Sequence, residues 1–147
     1  MYLLDTSTLI DLLHDRPQVL SRFAEVPPGT GVYTSIISQG ELMVGVFSLI
    51  DSPRRPASPD GLPSEIVELG KVNQLLGRLT DVLPVTKDTT ATYVFLQWQL
   101  MRRGKRRLAV NDGWIAATAS DHELTLVTSD DRFRDLDFAL RIEDWRA

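Results

Sequence analysis

The stretch Met1-Tyr-Leu-Leu-Asp-Thr-Ser-Thr-Leu-Ile-Asp11 decides the fold that we predict for this chain. Tyr2 to Leu4 form a continuous apolar run, which is typical of a strand covered on both faces of a parallel sheet. Apolar residues then recur at helical spacing from Leu9 onward, so a helix follows at once. Asp5 lies at the junction, and open α/β sheets bind ligands at such junctions. Because Asp is also a favoured helix N-cap, this stretch alone leaves both roles open for Asp5.

Composition sets the class of protein. The chain has 147 residues, 43% of them apolar, a mean hydropathy of −0.09 and a formal charge of −4, which suits one globular domain spanning 1–147. No apolar run approaches the roughly 20 residues that cross a bilayer, and no secretion signal is evident, so we expect a cytoplasmic protein with no membrane partner. The absence of cysteine excludes disulfides and thiolate metal sites. The negative charge argues against a protein that coats polyanions but leaves room for a local basic patch.

Strand and helix signals alternate along the rest of the chain, which predicts an α/β fold with a parallel sheet and helices on both sides. Residues 51–63 contain several prolines and are interpreted as a connection within the domain. The predicted strands are 2–4, 32–35, 82–85 and 124–128, with a possible edge strand at 138–142. The predicted helices follow 2–4 directly and then lie near 19–23, at about 37–50 (capped by Ser35 or Ser38), at about 64–79, between Asp88 and Gly104, and at 113–120.

The helix that we expect Asp88 to cap carries a regular apolar set. Its apolar residues recur with a period near 3.6, the pattern of an amphipathic helix. They are Ala91, Val94, Phe95, Trp98 and Met101.

Four acids occupy corresponding places after predicted strands: Asp5, Glu41, Asp112 and Asp130. Parallel strands all end at one edge of the sheet, so these side chains are expected to converge there. Unpaired, they would repel one another and raise one another's pKa. Carboxylates without thiols or histidines suit hard cations, so the pattern predicts a Mg²⁺ or Mn²⁺ site.

Simpler roles exist for some of these acids. Asp112 and Asp130 could be ordinary N-caps, whereas Glu41 has apolar neighbours and is harder to explain without a function. Asp131 competes with Asp130 as the fourth acid. Other acids, including Asp11, are expected in turns or on the surface. Nearby hydroxyl residues, chiefly Ser7 and Thr128, could orient carboxylates or water.

A basic run precedes Asp112. It contains Arg102, Arg103, Lys105, Arg106 and Arg107, five positive charges in six residues. One interpretation is a solvated helix C-terminus, where positive charge interacts favourably with the helix dipole. Its place beside the predicted metal site favours phosphate contact, which would give affinity and position without base specificity.

Together these motifs resemble the PIN-domain family, in particular the ribonuclease toxins of VapBC-type toxin–antitoxin modules. The matching segments, in order, are Leu4-Asp-Thr-Ser7, Ser38-Gln-Gly-Glu-Leu42, Asn111-Asp-Gly-Trp-Ile-Ala-Ala117 and Leu126-Val-Thr-Ser-Asp130. The resemblance implies a three-layer α/β/α sandwich and an endoribonuclease that depends on Mg²⁺ or Mn²⁺.

The resemblance also implies roles and partners. Asp5, Glu41, Asp112 and Asp130 would form the acidic metal site, with Asp5 and Asp112 as direct ligands and Thr128 in support. It further implies an RNA substrate, a homodimer, and a VapB-type antitoxin whose tail covers the active site.

Two other functions compete with this hypothesis. A receiver domain also gathers acids at a sheet edge, but it needs an acid at the end of the third strand. Here that place contains Pro84, Val85, Thr86 and Lys87. A catalytically inactive PIN-fold interaction module is the second alternative, and the presence of all four acids weighs against it.

Overall fold

In the computed structural model the described residues are 1–50, 59 and 61–147; most of the predicted proline-rich connection at 51–63 lies outside them. Five parallel strands form one sheet, in which the third strand along the chain lies at one edge and is followed by the second, the first, the fourth and the fifth. Leu4 pairs with Thr34 on one side and with Val127 on the other, so the first strand is the centre of the sheet. The strands are β1 (Tyr2–Leu4), β2 (Val32–Ser35), β3 (Asp81–Leu83), β4 (Thr125–Val127) and β5 (Ile142–Glu143).

Helices cover both faces of this sheet, so the predicted three-layer α/β/α sandwich is confirmed. None of the described helices has the length and apolar character needed to cross a membrane. The helices are α1 (Thr6–Leu13), α2 (Pro17–Ala24), α3 (Ile36–Phe47), α4 (Ser64–Arg78), α5 (Lys87–Arg102) and α6 (Val110–Asp121), followed by a 3₁₀ helix (Asp131–Leu136).

The central strand divides the hydrophobic core in two. Successive side chains of a strand point to opposite faces, so Leu3 and Leu4 enter different layers. Leu3 packs in the layer that contains the buried residues of α5 and α6, and Leu4 packs in the layer with α1, α3 and α4. Both side chains are fully buried. Burying each one stabilises the fold by about 1.5–3 kcal/mol, which explains the continuous apolar run.

Two predicted boundaries are wrong for reasons that the backbone explains. The third strand is 81–83 and not 82–85, and the last strand is Ile142–Glu143 and not 138–142. The N–H groups of Ala139 and Leu140 both bond to the carbonyl oxygen of Leu136, at 2.9 and 3.0 Å. These bonds prolong the 3₁₀ helix into a turn, so the chain joins the sheet only after Arg141.

The predicted cap of α5 is also wrong. Thr86 is the N-cap, with an extended backbone, and it forms a reciprocal capping box with Thr89. The Thr86 N–H bonds to the Thr89 hydroxyl at 3.0 Å. Asp88 therefore lies inside the first turn, where its charge favours the helix dipole without capping the helix.

The apolar stripe of α5 faces outward, although an amphipathic helix ordinarily buries such a stripe. Val94 is 58% exposed and Trp98 48% exposed, and Phe95 and Met101 are similar. The buried face instead contains Leu96, Gln97 and Leu100. Gln97 can be buried because its amide group donates to the Leu108 carbonyl at 3.0 Å and accepts from the Leu108 N–H at 2.9 Å. The exposed stripe is therefore a candidate surface for association.

Candidate functional site

The candidate site lies at the carboxyl edge of the sheet, beside its central strand. Asp5 directly follows β1, and Thr128 directly follows the adjacent β4. After β1 the chain continues to β2, on one side of the pair, and after β4 it continues to β5, on the other side. The carboxyl edge between β1 and β4 is therefore the switch point where open α/β sheets bind ligands. The position of the site follows from the strand order.

Asp5 is the N-cap of α1 and also presents its carboxylate at the carboxyl edge of the sheet. As the N-cap of α1, its Oδ1 accepts from the Thr8 N–H at 2.9 Å and from the Ser7 hydroxyl at 2.7 Å. Its Oδ2 accepts from the Thr128 hydroxyl at 2.5 Å. Burial raises the pKa of the Asp5 carboxyl, and these hydrogen bonds, that of Thr128 foremost, oppose the rise. The side chain is thus fixed in orientation at a site where its negative charge is costly.

A chain of hydrogen bonds fixes the end of β4 against Asp5. The Asp130 N–H donates to Thr128 Oγ1 at 3.0 Å, and the Thr128 hydroxyl donates in turn to Asp5. On the other side, Ser7 Oγ accepts from the Ser129 N–H at 3.3 Å. Both predicted supporting residues, Thr128 and Ser7, therefore contact the Asp5 carboxylate directly.

Asp112 lies in the first turn of α6, and the N-cap of that helix is Ala109. The simpler interpretation of Asp112 as a cap is therefore wrong. Burial is the main cause that raises the pKa of Asp112; the Arg132 guanidinium opposes this rise, and repulsion from three other carboxylates adds to it. Those three are Asp130, Glu41 and Asp5, so the structure brings all four predicted acids within electrostatic range of one another.

Glu41 is attached to the same edge through α1. Its Oε1 accepts from the Thr6 hydroxyl at 2.8 Å, and Ser38 Oγ lies 3.1 Å from that hydroxyl. Thr6 is the first residue of α1 and directly follows Asp5. The helix that Asp5 caps thus also positions Glu41.

Asp130 is the N-cap of the 3₁₀ helix and is held by a side chain that the sequence analysis missed. Arg132 Nε lies 3.0 and 2.8 Å from the two carboxylate oxygens of Asp130, and Nη2 also contacts Oδ2. The same guanidinium approaches Asp112 Oδ2 at 3.5 Å. The hydrogen bonds from Arg132 lower the pKa of Asp130. The sequence signal that could have indicated this contact is the basic residue two positions after Asp130.

The rival acid Asp131 lies at the surface. Its side chain is 77% exposed and pairs with Arg134. The Asp130 side chain, by contrast, is 24% exposed and raises the pKa of Asp112. The structure therefore places Asp130, and not Asp131, among the clustered acids.

The donor set fits a divalent cation by its chemistry, although no ligand cage is preformed. Within 1–50, 59 and 61–147, no three acidic or histidine side chains lie close enough together to form a ready-made metal site. Mg²⁺ typically keeps several waters and binds proteins through only one or two carboxylates, so a closed cage is not required. Four carboxylates, of which Asp5 and Glu41 accept hydrogen bonds from hydroxyl groups, match that preference for oxygen.

The basic run divides into engaged and open side chains. The guanidinium of Arg102 lies 4.8 Å from the Trp98 ring centre, and that of Arg103 lies 4.0 Å from the Phe138 ring centre. Lys105 forms an ion pair with Asp135 at 3.2 Å. Arg106 and Arg107 instead line a groove of about 930 Å³, together with Trp98 and Arg132. Arg132 thus connects this groove to the acids.

Asp11 was expected at the surface, and that prediction is wrong. Its side chain is buried and pairs with Arg146 at 2.6 and 2.9 Å and with Arg16 at 3.0 Å. Arg146 is 135 residues away, so no local pattern indicates the pairing. Asp11 has a structural role in joining α1 to the C-terminal residues.

Comparisons with known proteins agree with this architecture. Residues 2–139 match the family model described as PIN domain. Ribonuclease VapC5 of Mycobacterium tuberculosis is 32% identical over 112 residues, 76% of this chain and 73% of the relative. Toxin FitB of Neisseria gonorrhoeae is 30% identical over 131 residues, 88% of each chain.

A solved structure extends the similarity to three dimensions. It is that of VapBC2 from Rickettsia felis bound to a DNA fragment from their promoter, with a TM-score of 0.80 over 98% of both chains. At 23% identity this match supports the fold alone. With a family model that covers most of the chain and two relatives of 30% identity or more, the chain belongs to the PIN domain family.

Proposed function

We propose that this protein is a Mg²⁺-dependent endoribonuclease, the toxin of a type II toxin–antitoxin module. The observation that carries the proposal is the convergence of four acids from distant parts of the sequence at the switch point of the sheet. Burial raises the pKa of Asp112, and the nearby carboxylates of Asp130, Glu41 and Asp5 raise it further. Such a concentration of negative charge is unfavourable for folding unless a cation offsets it. The identity to relatives named ribonuclease VapC5 and toxin FitB supports the same activity.

The bound cation would supply two effects, polarisation of a phosphoryl oxygen and a lowered pKa for a coordinated water. Asp5 and Asp112 would hold it, with Glu41 and Asp130 alongside; Mn²⁺ suits the same oxygens. The remaining work belongs to the chain itself. Thr128 and Ser7 hold the Asp5 carboxylate in one orientation, so its oxygens need not reorganise when the cation and the RNA arrive.

Single-stranded RNA is the substrate that the surroundings of the site favour. The acids are partly buried at a sheet edge, and a duplex would present its phosphates but keep its bases stacked and closed. Arg106 and Arg107 form no ion pair within the described part of the chain, and they line the groove that leads to Arg132. Of the five basic residues, these two are the ones free to bind flanking phosphates.

We further propose two protein partners. The first is a VapB-type antitoxin, as the 30% identity to VapBC-5 of Mycobacterium tuberculosis, a member of the VapBC family of toxin-antitoxin systems, suggests. The second is another copy of this chain, packed on the exposed stripe of α5, where Trp98 and Phe95 offer about half of their surface to solvent. Such a toxin would act in the cytoplasm, where its RNA substrate is found.

The decisive experiment is cleavage of a total RNA pool by purified protein, with Mg²⁺ or with a chelator. Asp112→Asn is the sharpest variant because Asp112 is not a helix cap, so the amide should abolish cleavage without loss of the fold. A paired variant, Asp131→Asn, changes an exposed acid on the neighbouring 3₁₀ helix and should cleave like the parent. Equal cleavage by the parent and Asp112→Asn would refute the proposal. Absence of cleavage by every form would favour an inactive interaction module.

A further inference from the structure

Arg132 bridges two of the clustered acids that belong to different elements. Asp130 caps the 3₁₀ helix on which Arg132 lies, whereas Asp112 belongs to α6. The guanidinium takes both oxygens of Asp130 and lies 3.5 Å from Asp112. Glu41 also acts on Arg132 electrostatically, so three of the four acids share this positive charge.

The neighbouring pair shows how an ordinary surface ion pair differs. Arg134 and Asp131 are 74% and 77% exposed and lie three residues apart on the same 3₁₀ helix. Arg132 reaches beyond its own helix to Asp112, whose side chain is only 15% exposed. Exposed ion pairs contribute little to folding stability. A charge that offsets partly buried carboxylates contributes more, because those carboxylates are less well solvated.

The bridge uses the oxygens that a metal ion would need. A guanidinium stays protonated at any ordinary pH, so it cannot leave the cluster by losing a proton. A cation that binds the Asp130 oxygens or Oδ2 of Asp112 therefore competes with Arg132 for them. The side chain has room to move, because it is 64% exposed and lines the open groove.

We propose that Arg132 is the counter-ion of the acid cluster in the metal-free protein, and that its competition with the divalent cation sets the metal affinity of the site. This inference rests on the proposed metal site at Asp5, Glu41, Asp112 and Asp130. It assigns Arg132 a positioning role that acts through the acids. While the guanidinium is in place, it offsets part of the negative charge of the cluster and engages the oxygens of Asp130 and Oδ2 of Asp112. When it leaves, these oxygens become available to the cation.

The test is the dissociation constant for Mn²⁺, measured by isothermal titration calorimetry without RNA. Arg132→Gln should bind Mn²⁺ about threefold to tenfold more tightly than the parent, because the competitor is gone. Arg132→Lys, which keeps the charge but lacks the planar fork, should fall between them. The matched control is Arg134→Gln, which removes an equal charge from the same 3₁₀ helix and should leave the constant unchanged.

Thermal unfolding supplies a second measurement. In chelator, Arg132→Gln should melt at a lower temperature than Arg134→Gln, because only the former leaves Asp112 and Asp130 without a counter-ion. Added Mn²⁺ should raise the melting temperature of Arg132→Gln more than that of the parent.

The outcomes separate this inference from the proposed function. If the parent binds Mn²⁺, Asp112→Asn does not, and Arg132→Gln binds no more tightly than the parent, the competition is refuted while the metal site stands. Equal tightening by Arg132→Gln and Arg134→Gln would also refute it, because the effect would then be one of general charge. If the parent binds no Mn²⁺ at all, the metal site and the inference are both wrong.

Discussion

The hydroxyl of Thr128 donates a 2.5 Å hydrogen bond to Oδ2 of Asp5 across 123 residues of sequence. This contact joins the ends of two adjacent parallel strands and leaves the Asp5 carboxylate with one orientation. Because the Thr128 hydroxyl also accepts from the Asp130 N–H, three parts of the candidate site depend on one side chain.

Replacement of Thr128 by valine should therefore impair catalysis more than folding. Thr128→Val keeps the shape of the side chain but removes the donor to Asp5, and loss of such a supporting contact typically costs a metal site 10-fold to 100-fold. We expect RNA cleavage to fall by about that factor, with the change in the rate and not in RNA affinity. Thr125→Val, at the start of the same strand, is the control and should cleave normally. Normal cleavage by Thr128→Val would show that Asp5 needs no such orientation.

The raised pKa of Asp5 predicts a pH-dependent effect of Asp5→Asn on stability. Since the folded pKa of Asp5 lies above the ordinary aspartate pKa of 3.8, the contribution of Asp5 to stability is full below that pH and is lost as the pH rises through the folded pKa. Asparagine is an equally good N-cap and carries no charge. In chelator, Asp5→Asn should melt at a higher temperature than the parent at about pH 7, and this difference should shrink toward about pH 4.

The melting measurement has a built-in contrast. The pKa of Asp130 is lowered by Arg132, so its contribution is present at neutral pH and is lost as the pH falls through the lowered folded pKa. Asp130→Asn should consequently destabilise the metal-free protein at neutral pH. If Asp5→Asn lowers the melting temperature at neutral pH as Asp130→Asn does, the raised pKa of Asp5 is contradicted.

The open part of the basic run should dominate RNA binding. The double variant Arg106→Gln/Arg107→Gln should weaken binding of a single-stranded oligoribonucleotide and flatten its dependence on salt, because two phosphate contacts are lost. Fluorescence anisotropy at several salt concentrations measures both effects. The matched double variant Arg103→Gln/Lys105→Gln removes the same charge from side chains engaged by Phe138 and Asp135 and should change binding less. Equal losses would show that only net charge matters.

The stripe of α5 should control the oligomeric state. Trp98→Glu places a charge in the proposed dimer face and should give a monomer by light scattering, with little change in melting temperature of the fold because the ring is already half exposed. Val44→Glu on α3, also an exposed apolar position, should leave the dimer intact. A parent protein that is monomeric at high concentration would contradict the proposed face.

Much of this arrangement could be predicted from local patterns. The apolar run before Asp5 indicated a buried central strand, and the alternation of strands and helices indicated the three-layer sandwich, because periodicity and turn residues act over short distances. The positions of the acids just after strands then indicated a common edge. The predictions that were wrong concern the boundaries of β3 and β5 and the N-cap of α5. These details depend on which of several competing local hydrogen bonds forms.

The sequence by itself determined the order of the elements and the four carboxylates, because apolar spacing and strand ends carry that information residue by residue. Only the tertiary structure decided that α5 turns its apolar stripe outward, that Asp11 is buried against Arg146, and that Arg132 lies between Asp112 and Asp130. Each of these depends on side chains from separate elements meeting in space. The free energy of such a contact depends on the burial and the charges around it, and no short stretch of sequence contains that information.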